Sequence, residues 1–427
     1  MTRGDRSGAR IVLATWGSWG DLFPYLGLAI RLKALGHSPV IATCPYHQPA
    51  VEQAGIAFAP LRPNINPGAT ELTRRVMDPA RGSEVVIREL VVPALRQQHA
   101  DLTAIVPGAD LVVSHPMTFA APIVADEARV PWISSVLAPL SFFSVTDFPA
   151  LPNAPWAVHV NQTFPWTARL LMRFARTATR EWTRPIHEFR RERGRPPAGD
   201  PIYEGQFSPL GTIGLFSPVL GEPQPDWPAR TLVTGFVWHN GPAGALSPEL
   251  DAFLSSGDAP VVFTLGSSAV MAAGRFYEES ARAAHALGVR AVLLVGREAA
   301  NRPSTTSSKV FVAEVAPHEL LFPRASAIVH HGGIGTTGQA LRSGHPMLVV
   351  PFAHDQPDNA YRVSRLGVAR VLYPKRYSAE RVAAELRALL TEPSYAARAD
   401  AIGRLVRSDR GVDAACERVL AAAGVRP

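Results

Sequence analysis

The 427-residue chain is 47% apolar and carries a formal net charge of +7, from 43 Lys and Arg against 36 Asp and Glu. That length is too great for one ordinary domain and suits two of roughly 200 residues each. No apolar run approaches the roughly 18 residues of a membrane span, the polar start MTRGDRSGAR carries no signal-peptide core, and two distant cysteines, Cys44 and Cys416, argue against a disulfide framework or zinc site. A cytoplasmic protein is expected.

The N-terminal half alternates short apolar runs with helical patterns. RIVLAT (10–15) reads as a buried strand and 24–35 as a helix, with Pro24 in its first turn and Gly36 ending it. SPVIATC (38–44), IAFAPL (56–61), DLVVS (110–114) and PWISSVL (131–137) read as further strands, with helices at 47–54 and 120–128. Residues 138–230, rich in aromatics, Pro and Arg, read as loops and helices over this sheet. Residues 239–260 are the best linker, because Gly, Pro and Ser dominate there.

A second series follows: strands at 261–266, 290–296, 309–315, 326–331, 347–352 and 368–373, with helices at 277–287, 318–324, 336–343 and 357–366, then a helical tail over 378–423. The expected fold is α/β, two doubly wound parallel-sheet domains facing across a cleft, with ligand at the carboxyl ends of the strands. The expected division is 1–238, a linker at 239–260, 261–400, and C-terminal helices at 401–427 packing back on the first domain.

Between Arg169 and Arg195 lie nine arginines opposed only by Glu181, Glu188 and Glu192, with Trp156, Trp166 and Trp182 nearby. A basic, Trp-bearing helix can rest on an anionic membrane surface. The preferred reading is a solvated face covering a cleft, with peripheral membrane contact as the alternative. No recognition motif accompanies the charge, which argues against nucleic acid.

The densest chemistry is HHGGIGTTGQ (330–339), where a strand ends in His and a helix begins. Gly332, Gly333 and Gly335 allow a ligand close to the backbone. Thr336, Thr337 and the free N–H groups of the helix start suit an anion, and His331 adds a donor. Together they can hold a diphosphate without a metal, and the chain has no Asp-X-Asp pair. The next strand delivers Asp355 and Gln356, a carboxylate and an amide suited to adjacent sugar hydroxyls or, alternatively, to capping the helix opened by Pro357. His354 stands beside them. Gly333, Gly335 and Gly338 also spell G-x-G-x-x-G, but the flanking histidines and the place of Asp355 beyond Pro351 argue against a dinucleotide site. On the other half, TWGSWGD (15–21) brings Asp21 to the top of the first sheet, as a helix cap or as a base for a hydroxyl proton, its pKa raised by partial burial.

The His331–Gly333 turn, Thr336, and Asp355 and Gln356, 24 and 25 residues after His331, resemble the donor signature of glycosyltransferase family 1, of the two-Rossmann-domain GT-B fold. Its bacterial branch is the most similar: the rhamnosyltransferase chain of rhamnolipid synthesis, sterol glucosyltransferases and antibiotic glycosyltransferases. Thr15, Gly17, Ser18, Gly20 and Asp21 reproduce a loop that supplies a proposed aspartate base in the antibiotic and sterol branches. The resemblance implies diphosphate contacts from His331, Thr336, Thr337, Ser267 and Ser268, with Gly17, Ser18, Gly333 and Gly335 also at the donor. It implies base and ribose contacts from Ala316 and His318, and sugar contacts from Asp355 and Gln356. The stacking tryptophan of the plant enzymes falls near Val315 and their ribose-binding glutamate at Gln339, which leaves uridine and thymidine both open. Plant and macrolide members pair a His base with an Asp near Ser114 or His115, so that dyad is absent; His115 stands where it can assist Asp21.

The expected activity is metal-independent, inverting transfer from a UDP- or dTDP-sugar to a hydroxyl of an apolar acceptor, such as a lipid, sterol, polyketide or flavonoid-like compound, by a monomer or homodimer with no cofactor. Phe142, Phe143, Phe148, Trp156, Phe164 and Trp166 are candidates to wall the acceptor pocket. A sugar-nucleotide epimerase or hydrolase, or a non-catalytic nucleotide-sugar or lipid-binding partner, are the alternatives. The remaining histidines, His47 among them, are expected at exposed positions or helix ends without function.

Overall fold

Apolar runs of four or five residues, too short for helices, become central strands wherever both faces can be covered. In the computed structural model, which describes residues 8–66, 70–239, 244–305 and 307–425, they build two parallel sheets. The first contains β1 (Arg10–Ala14), β2 (Ser38–Thr43), β3 (Ala57–Pro60), β4 (Leu111–Ser114), β5 (Trp132–Val136), β6 (Thr212–Gly214) and β7 (Thr231–Val233), in the order β3-β2-β1-β4-β5-β6-β7. The second contains β8 (Val261–Thr264), β9 (Ala291–Leu294), β10 (Val310–Ala313), β11 (Ala327–His330), β12 (Met347–Val349) and β13 (Ala369–Val371), in the order β10-β9-β8-β11-β12-β13. Along β1, Val12 and Ala14 enter one apolar core while Ile11 and Leu13 enter another, so both faces are dry. The strand order reverses at β1/β4 and at β8/β11, and the loops leaving those four strands meet at one cleft.

The first helix starts five residues earlier than expected, at Trp19, and runs to Ala34. Ser18 caps it in a reciprocal box with Asp21, a local pairing strong enough to start the helix ahead of Pro24. Pro24 is therefore inside the helix and Asp21 in its first turn. Two strands were not expected: β6 falls in the region read as loops and helices, and the edge strand β7 directly follows that region; each is three residues long and shows no periodicity of its own. Of the expected linker, 240–243 lies outside the described residues, as do residues 1–7 of the polar start. Its second half forms a helix, Pro248–Ser255, that buries Leu250 and Leu254 against the second sheet.

The helix Thr167–Glu192 buries Ala168, Met172, Ile186 and Phe189. Its outer side is exposed, as the reading of a solvated face over a cleft expects, but it carries apolar side chains beside the arginines: Trp166, Leu170 and Phe174 are 69%, 59% and 74% exposed. The C-terminal helix Gly411–Ala422 leaves the second domain and packs on the helix Trp19–Ala34, sinking Cys416, Val419 and Leu420 into the core around β1, with Arg31 Nε 2.9 Å from Asp413 Oδ1. A buried ion cluster ties the halves elsewhere. Arg362 bonds Asp358 Oδ2 (2.7 Å) and the Leu220 carbonyl (2.9 Å) and pairs with Asp147.

Candidate functional site

On the first sheet the loop after β1 turns at Gly17, whose φ of +145° only glycine holds without strain, and whose missing Cβ leaves room for Asp21. Asp21 Oδ2 accepts from the Ser18 N–H (2.6 Å) and Ser18 Oγ (2.9 Å). Its Oδ1 lies 3.5 Å from Nε2 of His115, the residue after β4. His115 Nδ1 accepts from the Met117 N–H at 3.2 Å, so the proton of the neutral ring sits on Nε2, facing Asp21. Capping and cleft-facing readings of Asp21 therefore hold together, one oxygen each.

The expectation of a raised Asp21 pKa fails. Burial does push it up, but the His115 ring and the Ser18 donors outweigh burial, and the carboxyl titrates below the ordinary 3.8. His47, expected to be unimportant, is fully buried and bonds the Gly17 carbonyl through Nε2 at 3.1 Å, bracing the loop.

On the second sheet, the ring of His331 sits between Gly266 and Gly333, and a Cβ on either would intrude on it. Burial, with the charge of His318 adding to it, pushes His331 down to about 3, so near neutral pH it is a neutral hydrogen-bond donor or acceptor rather than a cation. Its Nδ1 is buried without a partner. The helix Ile334–Ser343 begins there, two residues earlier than expected, with Gly333 as an N-cap that offers no side-chain hydrogen bond. Its first N–H groups therefore remain for an anion, reinforced by the helix dipole. Gly333, Gly335 and Thr336 line the cleft, as do Ser267 and Ser268 after β8. Thr337 does not: one residue along the helix from Thr336, it is fully buried.

Asp355 and Gln356 open the helix Gln356–Arg365. Gln356 Oε1 accepts from the N–H groups of Phe352 (2.8 Å) and Ala353 (3.2 Å), which ties its oxygen to the loop. Asp355 makes no side-chain cap; its Oδ2 accepts from Asn359 Nδ2 at 2.7 Å, and that amide also holds the Gly332 carbonyl at 2.9 Å. Burial pushes Asp355 up to about 7 against the Asn359 bond, and the negative charge of Asp21 pushes the same way, so the two carboxylates sense one another across the cleft. Asn359 escaped the sequence reading, though its i+4 spacing from Asp355 was a usable signal. His354, at a left-handed φ of +58°, reaches Ser83 Oγ at 3.4 Å and thereby touches the first domain.

The cleft holds about 2300 Å³, over twice the roughly 1,000 Å³ upper range of single-ligand pockets, so two substrates fit. Ala316 and His318 line its outer end, the His318 ring stacked on Phe322 at 4.3 Å and driven to about 4 by burial. Val315 is 79% exposed at that end. Another part of the lining forms an apolar chamber, walled by Val76, Met77, Ile87 and Leu90 and by Leu171 and Trp182. Of the aromatic candidates, Phe143 and Trp156 face it. Phe142 instead stacks on Trp227 at 3.9 Å inside a core, Phe148 is buried in another, and Phe164 and Trp166 point to solvent. Aromatic content did not distinguish wall from core.

Residues 218–415 match the family described as UDP-glucoronosyl and UDP-glucosyl transferase, and residues 11–133 match the glycosyltransferase family 28 N-terminal domain. The chain is 34% identical over 422 residues to O-mycaminosyltylonolide 6-deoxyallosyltransferase of Streptomyces fradiae, covering 95% of this chain and 96% of that one. It is 29% identical over 409 residues to vancomycin aglycone glucosyltransferase of Amycolatopsis orientalis, covering 95% and 96%. Among solved structures, the glycotransferase of kitacinnamycin superposes with a TM-score of 0.71 at 22% identity, over 98% of this chain and all of that one. The spinosyn rhamnosyltransferase complexed with thymidine diphosphate superposes with a TM-score of 0.68 at 18% identity, over 97% and 100%. With two parallel-sheet domains joined at a shared cleft, the chain belongs to glycosyltransferase family 1 and is a glycosyltransferase of the GT-B fold.

Proposed function

We propose that the protein transfers a sugar, with inversion and without a metal, from a UDP- or dTDP-sugar to a hydroxyl of an apolar natural product, sterol or lipid. One observation carries the reading: Asp21 and the uncapped start of the helix Ile334–Ser343 occupy opposite walls of one cleft. Residues 1–238 would take the acceptor and 261–400 the nucleotide sugar. Asp21 accepts the acceptor's hydroxyl proton while His115, whose proton already sits on Nε2, donates to the carboxylate and orients it. The acceptor oxygen then bonds to the anomeric carbon from the face opposite the diphosphate. The bond to the diphosphate breaks, and its electron pair leaves on an oxygen that the helix N–H groups, His331, Ser267 and Ser268 stabilise. Asp355 and the amide of Gln356 hold sugar hydroxyls. The apolar chamber supports the acceptor class, as do the O-mycaminosyltylonolide and vancomycin aglycone named for the relatives.

The test incubates the protein with UDP- and dTDP-sugars and a panel of hydroxylated macrolides, sterols and lipids. A product glycoside of inverted configuration is expected, with turnover reduced by about 10²–10⁴ in Asp21→Ala. Asp21 and Asp355 also flank the sugar as an epimerase would require. Epimer or free sugar released without acceptor would therefore overturn transfer, and full activity in Asp21→Ala would remove the base.

A further inference from the structure

The outer side of the helix Thr167–Glu192 and the turn before it carry Trp156, Phe164, Trp166, Leu170 and Phe174, each more than half exposed. Trp166, Leu170 and Phe174 are spaced four apart, so they form one stripe along the helix. Soluble surfaces scatter large apolar side chains singly, and a contiguous ridge of this kind marks a contact surface.

The surrounding charge selects the partner. From Phe148 to Arg180 the chain has no Asp or Glu, while Arg169, Arg173, Arg176 and Arg180 follow the stripe. Arg176 is paired with Glu204, but Arg169, Arg173 and Arg180 are exposed and carry no ion pair among the described residues. A second copy docking by a two-fold axis would set these arginines against one another with no carboxylate between them. Tryptophan and phenylalanine backed by arginine instead suit the boundary between acyl chains and anionic headgroups. The stripe also runs into the cleft: Trp156 and Phe174 are exposed on the ridge and also line the chamber, beside Leu171.

We propose that this ridge docks the protein on an anionic bilayer, with the chamber mouth at the lipid surface, so that an apolar acceptor enters without crossing water. The docking stands apart from the transferase reading; only the acceptor route rests on it.

Co-sedimentation with phosphatidylcholine vesicles containing about 30 mol% phosphatidylglycerol tests the docking, against vesicles of phosphatidylcholine alone. Binding to the anionic vesicles is expected, falling with added salt. Arg169→Glu with Arg173→Glu should weaken it by roughly fivefold or more per residue. Trp166→Ser with Leu170→Ser, neither of which lines the cleft, should abolish it while leaving the melting temperature and turnover of a water-soluble acceptor unchanged. Equal binding to both vesicle types, or unchanged binding in both variants, would overturn the proposal. So would a concentration-dependent dimer, measured without lipid, that the Trp166→Ser and Leu170→Ser changes dissolve. If docking holds but the variants turn over a bilayer-dissolved acceptor as well as the parent does, the entry route alone is lost.

Discussion

The carboxylate of Asp21 divides its oxygens, Oδ2 to Ser18 and Oδ1 toward His115, and this division fixes how the rate should respond to pH. With this carboxylate as the proposed base and its pKa below 3.8, the acid limb of the rate profile should fall only in acid solution below that value. His115→Leu removes the largest group holding that pKa down, and the limb should move up toward neutral pH. A purely structural His115 would lower the rate without moving the limb. Asp355 has the opposite sign. Its folded pKa of about 7 exceeds the ordinary 3.8, so the stability it contributes is complete below pH 3.8 and is lost as pH rises through 7. Asp355→Asn abolishes that titration. The melting temperature of the ligand-free variant should gain on the parent between pH 4 and 7, while donor KM rises; a gap independent of pH would contradict this. Both aspartates were legible in the sequence, because each follows a strand-like run beside small residues. Their pKa values were not, since those depend on His115 and Asn359 arriving through the register of β1 with β4 and through the turn of a helix.

At the level of elements, a histidine ring is seated between two glycines at the mouth of the helix Ile334–Ser343. A methyl at Gly333 would intrude on the ring of His331, which must then swing toward the space proposed for the diphosphate. Gly333→Ala should therefore raise donor KM by about tenfold or more, roughly the loss of one good polar contact, with acceptor KM unchanged. Equal effects on both constants would point to general disorder of the cleft. The glycines were legible as close-approach positions, but which atom approached was not. This helix starts two residues earlier than expected, and one residue turns a helix by about 100°, so Thr336 lines the cleft while Thr337 beside it points into the interior. The central strands of each sheet were legible from their apolar runs, whereas the three-residue strands β6 and β7 depend on pairing, β6 on the edge of β5 and β7 on the edge of β6. Likewise Phe142 and Phe143, adjacent in sequence, part company at a left-handed φ of +47°, one entering the core and the other the cleft.

Across the whole molecule, the halves are joined by the guanidinium of Arg362, which bridges the buried Asp358 on its own helix to Asp147 and the Leu220 carbonyl. Arg362→Leu leaves the buried Asp358 without its cation, while Asp147 keeps Arg365 at 3.6 Å, and should cost about 3–5 kcal/mol in urea unfolding. Adding Asp358→Asn should recover part of that loss, and no recovery would mean that the arginine acts by packing alone. The seam has a counterpart at the other end of the chain, where the helix Gly411–Ala422 crosses back to the first sheet. There the thiol of Cys416 is pushed up to about 12 by burial. The chain's only other thiol, Cys44, is buried at the rim of the cleft, beside Asn64 Oδ1 at 3.4 Å. Alkylation of the native protein thus runs on two independent clocks, one started when the terminal helix lifts off and the other when the cleft rim loosens. A donor that slows the second and not the first would be seen to close the cleft while leaving the tail's docking untouched.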